Sequence, residues 1–284
     1  MNLSIIIPAK NESATIEEVV GRIRSEFPKA EIIVVDDGSS DKTARLAQEK
    51  GARVISHPHS LGNGAAVKAG ARAAEGEILV FLDADGQHDP ADIPRLLEKL
   101  DEGYAMVVGA RSSSSHANTA RLAANGIYNV IASMVTGHRI PDLTSGFRAV
   151  KADLFRKFLY LLPNGFSYPT TITMAFMRAG YPVEFLPIEA RKREGKSHIK
   201  PLRDGLRFLL IIFKIATLYA PLKLFMPTSL AFFGVGLGYY LYTYTTRGQF
   251  TNMSLLLFSA AVIVFLIGLI SEQITALNYK DSSL

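Results

Sequence analysis

Apolar residues come in short runs over the first two thirds of the chain and in long ones over the last third. Leu3-Ser4-Ile5-Ile6-Ile7 (stopped by Pro8), Glu31-Ile32-Ile33-Val34-Val35, Arg53-Val54-Ile55, Ile78-Leu79-Val80-Phe81-Leu82 and Ala105-Met106-Val107-Val108-Gly109 are apolar almost without interruption. The longer runs predict strands buried on both faces of a parallel sheet, and Arg53-Val54-Ile55 a short third strand. The mixed segments between them predict helices over 14–25, 41–50 and 90–100, and one opened by Leu61-Gly62-Asn63-Gly64 that runs to about Ala74. Asn11 or Ser13 can cap the first helix, and Pro90 can start the last. Strands and helices alternating at this length imply βαβ units, hence an α/β fold with a mostly parallel sheet. A helix over 118–135, a turn at Pro141-Asp142-Leu143-Thr144-Ser145-Gly146-Phe147-Arg148 leading into a short strand, a loop and helix within 166–180 and a strand over 182–187 complete residues 1–200.

From Arg191 the pattern changes. Nine Lys and Arg between 191 and 223 face only Glu194 and Asp204. Pro201 can open a helix. At about 100° per residue, Lys200, Arg203, Arg207 and Lys214 fall within roughly a 60° arc, and the other faces are apolar. Residues 201–223 therefore read as an amphipathic helix in a membrane interface, the alternative being a helix that covers the sheet. Residues 225–246 and 248–271 carry no charge. Each is near the ~20 residues that span a bilayer, and the short link Arg247-Gly248-Gln249-Phe250-Thr251-Asn252 makes them a hairpin over 224–275, followed by a tail over 276–284. The Lys and Arg excess before the first span places residues 1–200 and both termini in the cytoplasm. Gly234 and Gly238 form a small-residue packing motif, and Tyr239, Tyr240, Tyr242 and Tyr244 fit an interfacial aromatic belt. With no charge in mid-span, an ion or solute pathway is not expected.

Composition adds three bounds. Net charge is +5 and the pI is about 9.3, which fits either nucleic acid or an anionic membrane. The basic residues cluster against the hairpin, so the membrane accounts for them and a nucleic-acid partner is not expected. There are no cysteines, so neither disulfides nor thiolate metal sites enter. Met1 to Pro8 is too short for a signal peptide and reads as a first strand.

Parallel strands joined by right-handed crossovers end on one side, and ligands of open α/β sheets bind there. Two carboxylate clusters share that edge, Asp36-Asp37 and Asp83-Ala84-Asp85. An Asp-x-Asp leaving a buried strand can hold a hard divalent cation beside substrate phosphates; the plain alternative is two solvated loop aspartates beside a turn glycine. Gly62-Asn63-Gly64 lacks the third glycine of a dinucleotide fingerprint, since residue 67 is Val67. It gives a tight helix entry, and Lys68 one turn on is either solvated or turned to a phosphate. Arg121, Asn125 and Asn129 lie at i, i+4 and i+8 on one helix face, either as a solvated stripe or as an anion site.

Ile7-Pro8-Ala9-Lys10-Asn11-Glu12, Val35-Asp36-Asp37-Gly38-Ser39-Ser40-Asp41, Asp83-Ala84-Asp85-Gly86-Gln87-His88, Asp142-Leu143-Thr144-Ser145-Gly146-Phe147-Arg148 and Arg193-Glu194-Gly195-Lys196-Ser197 together resemble the family 2 glycosyltransferases of GT-A fold. Within these the chain is similar to the polyprenyl-phosphate sugar transferases, such as dolichol-phosphate mannose synthase. His198 departs from the lysine that relatives often carry after the serine. The resemblance implies an inverting, membrane-bound enzyme that moves a hexose, mannose or glucose, from a GDP- or UDP-sugar to a dolichyl or undecaprenyl phosphate, with Mg²⁺ or Mn²⁺ as cofactor. It implies that Pro8, Ala9, Asn11, Glu12, Asp36, Asp37, Lys68 and Asp83 bind the nucleotide sugar and that Arg193 and Ser197 close over it. It assigns Asp83, Asp85 and Gln87 to the metal and Arg111, Arg121 and Asn125 to the lipid phosphate. Asp85, Arg111, Arg121 and Asp142 would carry catalysis, Asp142 either orienting the acceptor or acting as a base. Two other readings stay open: transfer to a sugar hydroxyl of a glycan or glycolipid, and an inactive membrane scaffold of the same fold. Processive synthases usually show a Gln-x-x-Arg-Trp motif, and this chain has no tryptophan.

Overall fold

The computed structural model describes residues 2–111, 129, 130, 133, 136–165, 167–189, 213, 217 and 219–279. The chain divides into two compact units, Met1–Ser133 with His138–Lys200, and Met134–Gly137 with Pro201–Leu284.

The first unit holds a seven-stranded sheet of order β3-β2-β1-β4-β6-β5-β7. Its strands are β1 (Leu3–Ala9), β2 (Glu31–Asp36), β3 (Arg53–Ser56), β4 (Ile78–Phe81), β5 (Met106–Arg111), β6 (Arg148–Lys151) and β7 (Val183–Ile188). The pairs β1·β2, β1·β4, β2·β3 and β5·β7 are parallel. β6 runs antiparallel to both β4 and β5. β5 ends, and β6 begins, at the edge where β4 ends, so the turn that feeds β6 stands beside the Asp-x-Asp loop. β1 does not stop at Pro8 but pairs with β2 as far as Ala9. Its pairing with β4 ends at Ile6, so the N–H that Pro8 lacks falls beyond that ladder, where a proline is tolerated.

Alternation along the strands splits the core into two layers. On one face Ile5, Ile7, Val34, Val80, Leu82, Val107 and Ala149 pack with helices α1 (Ile16–Glu26) and α4 (Ile93–Asp101). α2 (Thr43–Glu49) adds Ala47 to the same cluster. On the opposite face Gly70 of α3 (Asn63–Ala73) lets that helix close on the sheet, since a Cβ there would lie 2.4 Å from Ile6 Cγ2. Phe81 meets Phe155 of α5 (Ala152–Lys157) at 4.7 Å between ring centroids, and α6 (Tyr168–Arg178) is buried along nearly its whole length.

The second unit is a helical hairpin, α7 (Pro221–Arg247) and α8 (Asn252–Tyr279). Both helices are long and apolar enough to cross a membrane. Gly248 ends α7 in the left-handed conformation, φ 66°, with its N–H on Tyr244 O, the usual glycine stop. Pairing runs antiparallel: Gly236 meets Leu257 and Phe258, Ser229 Oγ donates to Ala261 O at 2.8 Å, and Gly268 meets Phe225. At the base, Glu272 Oε2 accepts from Leu222 N at 3.3 Å, capping one of the orphan amides of α7 with a carboxylate. Gly236 and Gly268 make the close approaches. The motif expected to pack does not serve the hairpin: a Cβ on Gly234 or Gly238 would meet nothing within 4 Å. Most of the interface helix expected over 201–223 lies outside the described residues.

Candidate active site

Three loops meet at the C-terminal edge of the sheet, and hydrogen bonds stitch them together. Asn11, held at φ 55°, donates its N–H to Ser39 Oγ at 2.9 Å and accepts Ser40 N on Oδ1 at 2.8 Å. Glu12 N donates to Thr43 Oγ1 at 2.9 Å, and Ser13 N to Asp41 Oδ2 at 3.1 Å. Thr15 Oγ1 reaches Ala84 O at 2.7 Å, tying the first loop to the Asp-x-Asp loop. The sequence places Asn11 against the nucleotide; the structure shows its side chain and amide in the seam between the loops after β1 and β2.

Asp37 is built in more firmly still. Its carboxylate accepts from His57 Nδ1 at 2.8 Å, Ser60 Oγ at 2.7 Å, Leu61 N at 2.8 Å and Gly62 N at 2.9 Å. Burial pushes its pKa up, but these four donors outweigh burial and hold it at about 2. The carboxylate thereby pins the segment from His57 to Gly62. Its neighbour Asp36 ends β2, buried, and accepts from Ser39 N at 3.3 Å.

Lys68 is likewise engaged within the protein. Its ammonium donates to Leu162 O at 3.0 Å and to Asn164 Oδ1 at 2.6 Å. Asn164 O also accepts from Ala65 N at 3.1 Å. A Cβ on Gly62 would lie 2.4 Å from Asn164 O, and one on Gly64 2.0 Å from Pro163 O. The two glycines and Lys68 thus seat the 162–165 segment on the start of α3.

The Asp-x-Asp loop is arranged differently. Asp83 leaves β4 with its side chain 37% exposed, whereas that of Asp37 is 5% exposed. Asp85 Oδ1 accepts from Gln87 N at 3.2 Å across Gly86, whose φ is +70°. Gly146 lies so close that a Cβ there would sit 2.8 Å from Asp83 Oδ2. His88 Nε2 is 3.8 Å from Asp83 Oδ2, and its ring stacks on Phe147 at 5.2 Å. Burial holds His88 down at about 4 despite the raising field of Asp85, so its imidazole is neutral at pH 7. Hard oxygen donors, an accessible acid rim and a cradle that only glycine leaves open fit a divalent cation whose shell is completed by substrate phosphates. Among the described residues there is no group of three or more His, Cys, Asp and Glu fit to hold a metal without such help.

Arg111, at the end of β5, faces this rim. Nε donates to Asp142 Oδ2 at 2.8 Å, and Nη2 to Asp142 Oδ1 at 3.1 Å and Thr144 Oγ1 at 2.8 Å. Burial lowers the pKa of Arg111, but the Asp142 bonds and the fields of Asp142, Asp83 and Asp85 raise it further. Asp142 also accepts from Arg111 N and Thr144 N. Burial raises its pKa and Arg111 more than reverses this. A carboxylate so engaged is suited to orienting Arg111 and poorly suited to taking a proton. Asn129 anchors the same turn, donating to Pro141 O at 2.6 Å and accepting Leu143 N at 3.1 Å. The structure thus gathers Asp83, Asp85, Gln87, Arg111 and Asp142 at one edge, with Pro8, Ala9 and Glu12 on the adjoining strand end and loop. Arg121, Asn125, Arg193 and Ser197 lie outside the described residues. Sequence reasoning missed Thr15, Thr144 and the spacer role of Gly146, because each acts through a partner distant in sequence.

The comparisons agree with this geometry. The family model of Glycosyl transferase family 2 matches residues 4–159, and that of the GtrB C-terminal hairpin matches 220–277. The chain belongs to glycosyl transferase family 2. Glycosyltransferase AglJ of Haloferax volcanii is 29% identical over 98% of this chain and 95% of its own length. A dolichyl-phosphate hexose transferase of the same organism is 31% identical over 72% of this chain and 89% of its own. Among solved structures, glucosyl-3-phosphoglycerate synthase of Mycobacterium tuberculosis in complex with Mg²⁺ and uridine diphosphate superposes with TM-score 0.61 at 26% identity, over 76% of this chain and 79% of that one.

Proposed function

We propose that this chain is a membrane-bound, inverting glycosyltransferase that moves a hexose from a nucleoside-diphosphate sugar to a polyprenyl phosphate. The observation that carries the reading is the accessible Asp83/Asp85 rim facing an Arg111 fork locked by Asp142, in a chain that continues into a bilayer-length hairpin. The dolichyl-phosphate hexose transferase relative and the Mg²⁺ and uridine diphosphate in the solved neighbour support it. Pro8, Ala9, Glu12 and Asp36 line the donor nucleotide, on a floor shaped by Asp37 and Asn11. Asp83, Asp85 and Gln87 would hold a divalent cation, which when bound neutralises charge developing on the diphosphate leaving group. Arg111 orients the acceptor phosphate with a planar fork that matches its oxygens. That phosphate is already anionic at neutral pH, so the attack needs no strong base. From the family resemblance, Arg121 and Asn125 complete the acceptor site and Arg193 and Ser197 close over the donor. The hairpin keeps both its ends on one side of the bilayer, and the basic run before it assigns that side to the cytoplasm.

The test is a transfer assay on the full chain in liposomes, with Mg²⁺ or Mn²⁺, a panel of UDP- and GDP-hexoses and a short polyprenyl phosphate, read by mass spectrometry. The expected product is a cation-dependent polyprenyl-phosphate hexose. Transfer to a sugar hydroxyl, or donor hydrolysis alone, overturns the acceptor assignment. No donor consumption at all leaves the inactive scaffold.

A further inference from the structure

Arg148 opens β6 in the middle of the sheet, opposite Phe81 on β4 and Val108 on β5. It is wholly buried. Its guanidinium meets neutral acceptors: Nη2 donates to Ser145 O, and Nη1 to Pro169 O at 3.2 Å and Thr173 Oγ1 at 3.2 Å, with Met106 Sδ at 3.8 Å. Cζ lies 5.8 Å from the Tyr168 ring centre. Among the described residues Arg148 forms no ion pair, and its Nε, like Ser145 Oγ and Tyr168 Oη, has no hydrogen-bond partner. A buried cation without a counter-ion is expensive. A methionine or leucine would fill the same space at lower cost. Packing alone does not account for this side chain.

Its surroundings do. Ser145, which the fork grips, immediately precedes Gly146, and Gly146 abuts the Asp83 carboxylate. Asp142 sits three residues before Ser145 in the same turn. The opposite arm of the fork is fixed to the first and second turns of α6. Burial lowers the pKa of Arg148, while the charges of Asp142 and Asp83 act on it in the raising direction, so both acids are within electrostatic reach.

We propose that Arg148 is a positioning residue: by bridging Ser145 O to Pro169 O and Thr173 Oγ1 it fixes the 142–146 turn against Asp83, and so sets the carboxylate geometry that receives a divalent cation. This rests on the cation site of the proposed function. Groups that orient metal-binding side chains from behind typically change metal affinity or activity by about 10–100-fold when removed.

The test uses the full chain in detergent with uridine diphosphate or guanosine diphosphate present, titrated with Mn²⁺ and read from the electron-paramagnetic signal of the free ion against the same nucleotide without protein, with Tm measured on the same samples. Arg148→Met should melt near the wild-type Tm, since losing an unpaired buried cation offsets the donors taken from Ser145 O, Pro169 O and Thr173 Oγ1, yet bind Mn²⁺ about 10-fold more weakly. Wild-type Mn²⁺ affinity in Arg148→Met overturns the proposal, and so does a loss of Mn²⁺ binding that only tracks a lowered Tm. Should Arg148→Met not fold, Arg148→Lys keeps the charge but offers one ammonium that cannot span both sets of acceptors. It should fold and bind Mn²⁺ more weakly, and wild-type affinity there overturns the proposal equally. Absence of Mn²⁺ binding by the wild-type chain with either nucleoside diphosphate present overturns the cation site itself and this inference with it.

Discussion

β2 and β4 each run out into two aspartates at the same sheet edge, and Asp37 and Asp83 stand there in opposite surroundings. Asp37 is filled by four donors from one following segment and is almost without solvent contact. Asp83 keeps more than a third of its side chain exposed, with Gly146, a residue without a Cβ, close against its carboxylate. A carboxylate whose lone pairs are satisfied internally is a structural clamp. One left accessible on a rim beside a fixed arginine is free to meet a ligand, the role proposed for Asp83. The lesson is that acidity at a strand end identifies the edge, while the donors folded back onto each carboxylate decide its role.

Substitutions should separate the two pairs. The largest effect is expected for Asp85→Ala, which should lower kcat about 10²- to 10³-fold while Tm stays near wild type, checked by the transfer assay and thermal melting. A large fall in Tm instead would make Asp85 a clamp like Asp37. Asp37→Ala should do the reverse, costing about 2–4 kcal/mol of stability, read as a Tm drop of roughly 5–12 °C. Unchanged Tm with lost donor binding would return Asp37 to the ligand.

The same clamp has a pH signature. The folded pKa of Asp37, about 2, lies below its unfolded value, so its stabilisation is complete above about pH 4 and fades as pH falls through the folded pKa. The Tm gap between wild type and Asp37→Asn should therefore be widest at neutral pH and close towards pH 2. The smallest effect belongs to Lys68→Ala, which should cost about 1 kcal/mol and leave the donor KM unchanged, as measured by steady-state kinetics. A raised donor KM would restore the phosphate role.

Apolar runs made the strands legible, since burial on both faces leaves little choice of residue. The hairpin was legible from length and charge alone, although its true contact glycines, Gly236 and Gly268, carry no motif. The direction of β6 was not legible, because Arg148-Ala149-Val150-Lys151 is too short to show how the chain enters it. The contacts of Lys68 and Asp37 were not legible for one reason: their partners, Asn164 and the His57–Gly62 segment, have no pattern that announces a return to the site. Arg148 stood in a recognised motif, but its burial and its lack of an ion pair among the described residues appear only in three dimensions.

The strand order also bears on how the protein is made. β5 joins β4 only through β6, which is synthesised later, so β1 to β4 can pair while β5 waits with its inner edge open. From Met106 to Lys151 the ribosome must add about 45 residues, roughly 2–9 seconds at ordinary elongation rates. For that interval an apolar, unpaired strand is exposed to aggregation. Synonymous codons that slow this stretch should lower the yield of folded protein, and a chaperone that shields exposed strands during synthesis should restore it.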